Sequence, residues 1–167
     1  MTEEKKKDIW SITGRVAFTV ALVATILFVF RNSMQIAEDS SAASQYVHAA
    51  IQSFFTKLGA VEFAASITEY QVRKLAHICE YALVGFWMML CLRVYTKHFL
   101  RHITWPMFGG LFIALMDETI QLFSDGRSAS VTDIWIDFFG VMMGLSTAFF
   151  LLCLWRMFWI LYQNRDK

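Results

Sequence analysis

The sequence predicts an all-α fold: an integral membrane four-helix bundle with an extra amphipathic helix between spans 1 and 2. Three observations predict it. The 167 residues are 57% hydrophobic and 16% aromatic, with one proline, which is too apolar for an ordinary soluble domain. Runs at about 12–30, 74–95, 103–123 and 134–162 each match or exceed the ~20 residues that a bilayer crossing needs. Ionisable residues collect at one end of these runs, where each would cost roughly 2.5–3.5 kcal/mol at the bilayer centre. The length suits a single domain, 1–167.

Taken in order, residues 1–11 form a charged tail in which Lys5, Lys6 and Lys7 precede Trp10, an expected interfacial anchor. The first span follows, with Arg15 one turn in and able to snorkel to the headgroups. The run is long for a cleaved signal peptide, and the Ala37-to-Ala43 region is a weak cleavage site. Residues 31–44 are polar, with Glu38, Asp39 and several serines. Between Gln45 and Leu58, Val47, Ala50, Ile51, Phe54, Phe55 and Leu58 recur at i, i+3, i+4 spacing, predicting an amphipathic helix too short and polar to span. It would lie on the membrane surface or cover the mouth of the site, and Val61 to Tyr70 would continue it.

The second span opens with Arg73, Lys74, His77 and Glu80 and ends in a short basic loop holding Arg93, Lys97, His98, Arg101 and His102. Pro106 belongs in the first turn of the third span, where a missing N–H costs little, and Gly109 and Gly110 permit close helix approach. Asp125-Gly126 marks the turn after it. Ser130-x-x-Asp133 resembles a capping box with Asp in place of Glu. Gly140 and Gly144 give the fourth span a GxxxG packing face, and Trp155, Arg156 and Trp159 mark its far interface.

The three cysteines, Cys79, Cys91 and Cys153, match no zinc or redox spacing and are expected as small buried hydrophobes. A net charge of +1 and the lack of a basic domain argue against nucleic acid as a partner. No phosphate loop, HExxH helix or GxSxG elbow is present.

With four spans both termini share one side. Ten of the 15 basic residues fall there or in the 96–102 loop, against Arg31, Lys57, Arg73, Lys74 and Arg127 on the other side. The positive-inside rule therefore predicts cytoplasmic termini. At ~1.5 Å per residue, His77 and Glu80 lie about 5 and 9 Å inside the outer end of span 2. Asp117, Glu118 and Gln121 occupy the last turns of span 3, Arg127 the outer turn, and Asp133 and Asp137 the first turns of span 4. Residues far apart in sequence are thus expected in one outward-facing polar layer.

Two chemistries suit that layer. Lys74, Arg127 and Arg73 could neutralise Glu80, Glu118 and Asp133 and simply join helices, because buried polar groups need partners. Alternatively they could clamp a phosphate, which arginine does in bidentate fashion. His77 would then serve as general acid or base, oriented by Glu80 or Glu118. Glu118, Asp133 and Asp137 are the candidate ligands for a divalent cation, on composition alone. Ser128 and Ser130 read as turn and cap residues rather than nucleophiles.

These residues also carry a resemblance. K-x-x-H-x-x-x-Y is met by Lys74, His77 and Tyr81. E-x-x-Q, G-R and S-x-x-D-x-x-x-(N/D)-x-x-G-x-x-x-G are met by Glu118, Gln121, Gly126, Arg127, Ser130, Asp133, Asp137, Gly140 and Gly144. Over residues 74–144 the chain resembles the VanZ-like family of bacterial membrane proteins; Asp137 stands where that family more usually has Asn. The first span and residues 31–70 carry no such signature.

The resemblance implies a bacterial cytoplasmic membrane protein. It links the chain to teicoplanin resistance and to enzymes that modify lipid headgroups by phosphoester chemistry. The expected function is therefore action on, or exchange of, an anionic envelope lipid headgroup or lipid-linked precursor. His77, Glu80, Glu118, Gln121 and Asp133 are the expected catalytic residues, and Lys74, Tyr81, Arg127 and Asp137 the expected substrate-binding ones. Membrane lipids are the expected partners, with a lipid-linked cell-wall precursor or lipoglycopeptide among them. The alternatives are a non-catalytic binder of lipid II or a lipoglycopeptide, and a structural membrane subunit.

Overall fold

A computed structural model describes residues 3–96 and 98–165, with side chains described for 12–36, 41–96 and 98–165. The N-terminal lysines, Trp10, Glu38, Asp39 and Lys97 therefore lie outside the described side chains. The chain forms α1 (Glu3–Ser33), α2 (Ala37–Lys57), α3 (Val61–Ser66), α4 (Glu69–Tyr95), a 3₁₀ turn (Phe99–His102), α5 (Thr104–Gln121) and α6 (Val131–Asn164), with no strand among the described residues. Among the described residues, four segments are long and apolar enough to cross a membrane: Ile12–Ser33, Glu69–Tyr95, Phe99–Gln121 and Val131–Asn164.

The bundle is built on α4 and α6, which share the most extensive interface; α1 packs mainly on α4, and α5 on α6. Backbone proximity makes that interface possible. A Cβ on Gly140 would stand 2.7 Å from the Ile78 carbonyl oxygen, and one on Gly144 would stand 2.7 Å from Phe86 N. The GxxxG stripe is thus a seam where two helix backbones touch. Around it Val29, Tyr81, Val84, Met89, Ala114, Val141, Leu145 and Ala148 form the buried core. Phe112, Phe139, Phe150 and Leu161 point outward, the exterior expected of a bundle solvated by acyl chains. At ~1.5 Å per residue α6 is about 51 Å long, well beyond a ~30 Å hydrocarbon layer. Arg93, Trp155, Arg156 and Trp159 surround one cavity at its far end.

Several expectations are revised. α4 begins at Glu69, not Lys74, because a capping box starts it: Gln71 N–H donates to Thr68 Oγ1 (3.3 Å) and Thr68 N–H donates to Gln71 Oε1 (2.9 Å). Val61–Ser66 is a separate short helix, set off from α2 by Gly59 at φ +82°. α2 turns only part of its apolar stripe to the protein and shares that face with polar residues. His48 and Gln52 meet the carbonyls of Ile67 and Ala64, Ile51 and Phe55 are half-buried, and Val47, Phe54 and Leu58 are exposed. Cys79 and Cys153 are exposed and Cys91 half-buried, because the bundle's outer surface is itself apolar and needs no burial to hold a thiol.

Candidate functional site

The antiparallel course of the helices brings the C-terminal ends of α1 and α5 beside the N-terminal ends of α4 and α6. Polar groups from all four ends meet there, and the ionisable ones, from α4, α5, α6 and the turn before α6, form two tiers. The upper tier lines a cavity of about 380 Å³ bounded by Tyr70, Arg73, Lys74, His77, Gln121, Arg127, Ser128, Ser130 and Asp133. A second cavity of about 420 Å³ lies between α2 and α4, where Ala43, Val47 and Ile51 face Arg73, His77, Glu80 and Arg127. Arg73, His77 and Arg127 therefore border both spaces. The lower tier is Asp117, Glu118 and Asp137, with exposures of 0%, 2% and 1%.

Several of these groups are held by a partner from another helix or turn. Lys74 Nζ and Asp133 Oδ1 are 2.5 Å apart, joining α4 to α6. Asn32 Nδ2 donates to Glu80 Oε1 (2.8 Å), joining α1 to α4. Ser33 Oγ donates to Asp117 Oδ1 (2.5 Å), and Gln121 Nε2 donates to Asp117 Oδ2 (3.1 Å). Ser124 Oγ donates to the Ser33 carbonyl (2.9 Å), fastening the turn after α5 to the end of α1. That turn reverses at Gly126, with φ +74°, as Asp125-Gly126 predicts. Burial lowers the Arg127 guanidinium from its usual value, the Asp117 carboxylate opposes the shift, and arginine remains a cation.

Glu118 explains why the expected capping box at the start of α6 is absent. Ser130 Oγ accepts from Thr132 N–H (3.2 Å). Asp133 does not complete the box, since its carboxylate is drawn to Lys74. The Ser130 N–H instead donates to Glu118 Oε2 at 2.8 Å. A carboxylate from α5 thus satisfies an N–H at the mouth of α6, where the helix dipole favours negative charge.

His77 also has a different partner from the ones expected. Glu80 and Glu118 are engaged with Asn32 and Ser130, and it is Asp137 Oδ1 that lies 3.4 Å from His77 Nδ1. Of the predicted site residues, Lys74, His77, Gln121, Arg127 and Asp133 line the first cavity and Glu80 the second. Tyr81, Glu118 and Asp137 lie beneath them and line neither. Tyr81 is fully buried in the core, so its ring is placed to support the site. Nor are Glu118, Asp133 and Asp137 gathered as a ligand trio among the described residues; the acid and imidazole groups that do converge are His77, Asp117 and Asp137.

Asn32, Ser33 and Asp117 are site residues that pattern reasoning passed over as such. Asp117 was visible as a charge inside a span. Asn32 and Ser33 carry no signal of their own, because an amide or hydroxyl at a helix end is ordinary until its partner is known.

These features define a class: a helical membrane-spanning protein with a cation-lined polar site at one end of its bundle and a carboxylate floor beneath it. A family model described as VanZ/LLP1 matches residues 18–157, and the chain belongs to that family. The match takes in most of the first span and all of residues 31–70, which carry no signature residue, in keeping with the contribution of Asn32 and Ser33 to the site. No curated protein and no solved structure matches the chain.

Proposed function

We propose that this protein sits in the bacterial cytoplasmic membrane with both termini inside, and that its site faces the outer leaflet. There it binds the anionic headgroup of an envelope lipid or lipid-linked precursor and acts on or exchanges it. The observation that carries this reading is the wall of the 380 Å³ cavity: Arg73, Lys74 and Arg127 line it with one carboxylate, Asp133, while Asp117, Glu118 and Asp137 lie below. A phosphate entering this space meets guanidinium and ammonium groups first. The adjoining cavity has a polar edge at Glu80, His77 and Arg127 and an apolar wall from α2, which suits the part of an amphiphile just below its headgroup. His77 borders both spaces, and an imidazole there can pass a proton to or from a headgroup oxygen. In this reading α2 covers the mouth of the site. The link to teicoplanin resistance follows if the bound molecule is a cell-wall precursor or the lipoglycopeptide itself.

A second reading, non-catalytic capture of the same lipid-anchored ligand, is favoured by Lys74–Asp133 and Glu118–Ser130. These contacts use charge to join helices rather than to meet a reactant.

Nanodiscs containing the wild-type protein should retain phosphatidylglycerol over phosphatidylcholine in native mass spectra. Arg127→Ala should reduce that preference about tenfold, the loss of one charge-assisted contact worth about 1.4 kcal/mol. Headgroup release from labelled lipid, abolished by His77→Ala with binding retained, would separate chemistry from capture. Equal retention of both lipids by the wild type would refute the headgroup reading.

A further inference from the structure

Where the cavity wall meets the lower tier lies a constellation of which the headgroup reading uses only His77. One ligand atom each from His77, Asp117 and Asp137 lies within 4.8 Å of the others. Both acids are buried, and neither carboxylate oxygen of Asp137 has a hydrogen-bond partner. An ionised carboxylate without donors in such a place is costly, and one imidazole cannot balance two of them.

The geometry around Asp137 is informative. A charge-assisted N–H···O bond closes to about 2.7–2.9 Å, whereas His77 Nδ1 and Asp137 Oδ1 stand 3.4 Å apart. Two ligands bonded at about 2.0–2.2 Å to one tetrahedral ion are separated by roughly 3.3–3.6 Å. Asp117 is also prepared in the way ligands usually are: Ser33 and Gln121 each donate to one of its oxygens and fix its plane.

We infer that His77, Asp117 and Asp137 form a binding site for one divalent cation of the Zn²⁺ or Mn²⁺ class. The mixed set of one imidazole and two carboxylates selects that class over Mg²⁺ or Ca²⁺, which take oxygen ligands. Three protein ligands leave a coordination position open, as catalytic metal sites do and structural ones do not. His77 borders both cavities and so gives the site a route to solvent. The inference does not depend on the headgroup reading, because metal is measured with no lipid substrate present.

The test uses the full chain, purified in detergent, freed of any histidine tag, stripped with chelator and dialysed against Zn²⁺ or Mn²⁺. Elemental analysis should find about one ion per chain, and thermal unfolding should shift upward with the ion. Asp137→Asn and His77→Gln should each cut the bound metal at least tenfold while keeping the wild-type elution profile. Asp133→Asn, outside the trio, should keep it. If Asp137→Asn does not fold, His77→Gln alone decides. Less than a tenth of an ion per chain in the wild type would overturn the site in favour of a plain imidazolium–carboxylate pair, and so would undiminished metal in the folded variants.

Discussion

Replacing Gly144 by Ala tests the seam on which the whole site rests. The added methyl would meet the Ala82 carbonyl carbon and Phe86 N, each at 2.7 Å, with the Ala82 carbonyl oxygen closer still. All are backbone atoms and cannot rotate aside. Carbon contacts settle at about 3.5–4.0 Å, so α4 and α6 must separate locally by roughly 1 Å. Overpacking of this kind costs about 1–3 kcal/mol, and rigid backbone obstacles place it at the upper end. Alanine recovers about 0.8–1.0 kcal/mol over glycine in a helix interior. The net expectation is destabilisation by roughly 1–2 kcal/mol. Gly109 is the control, since a methyl there meets only the flexible Met88 Cε at 3.4 Å. Gly109→Ala should therefore be neutral or stabilising by up to about 1 kcal/mol. Unfolding in mixed micelles titrated with dodecyl sulfate, followed by tryptophan fluorescence, measures both. Gly144→Ala unfolding at or beyond the wild-type midpoint would show that α4 and α6 are not in backbone contact, and the geometry of the His77–Asp137 pair would lose its support.

Two further outcomes follow from contacts described above. A double-mutant cycle with Lys74→Met and Asp133→Asn should give a coupling energy of about 1–2 kcal/mol, more than an exposed pair, because both side chains are only about one-fifth exposed; a value below ~0.3 kcal/mol would mean the contact does not join the helices. Thr68→Ala removes the oxygen that accepts from Gln71 N–H, and should cost about 1 kcal/mol while speeding amide exchange at Gln71. Unchanged protection at that amide would place the start of α4 elsewhere.

Much of the molecule is readable from composition and spacing because the bilayer is a demanding solvent. Long apolar runs must become helices there, since no water satisfies their backbone groups, and the four spans follow. Charges near their ends are expensive enough to be noticed one by one, so His77, Glu118, Arg127, Asp133 and Asp137 stand out without coordinates. Gly140 and Gly144 likewise announce a close helix contact, and Gly126 a tight turn.

Partner choice is different, because it depends on how each helix is rotated and on residues distant in the chain. Asp133 was close enough in sequence to cap its own helix, yet Lys74 took it and Glu118 filled the vacancy. Glu80 was one turn from His77, yet it pairs with Asn32, 48 residues away, and Asp137 faces the imidazole instead. The chain's hydropathy and charge placed a polar layer at one end of four spans. Only the packing of α4 against α6, set by glycines that admit backbone to backbone, decided which acids line the floor, which cations line the mouth, and which three ligand atoms converge.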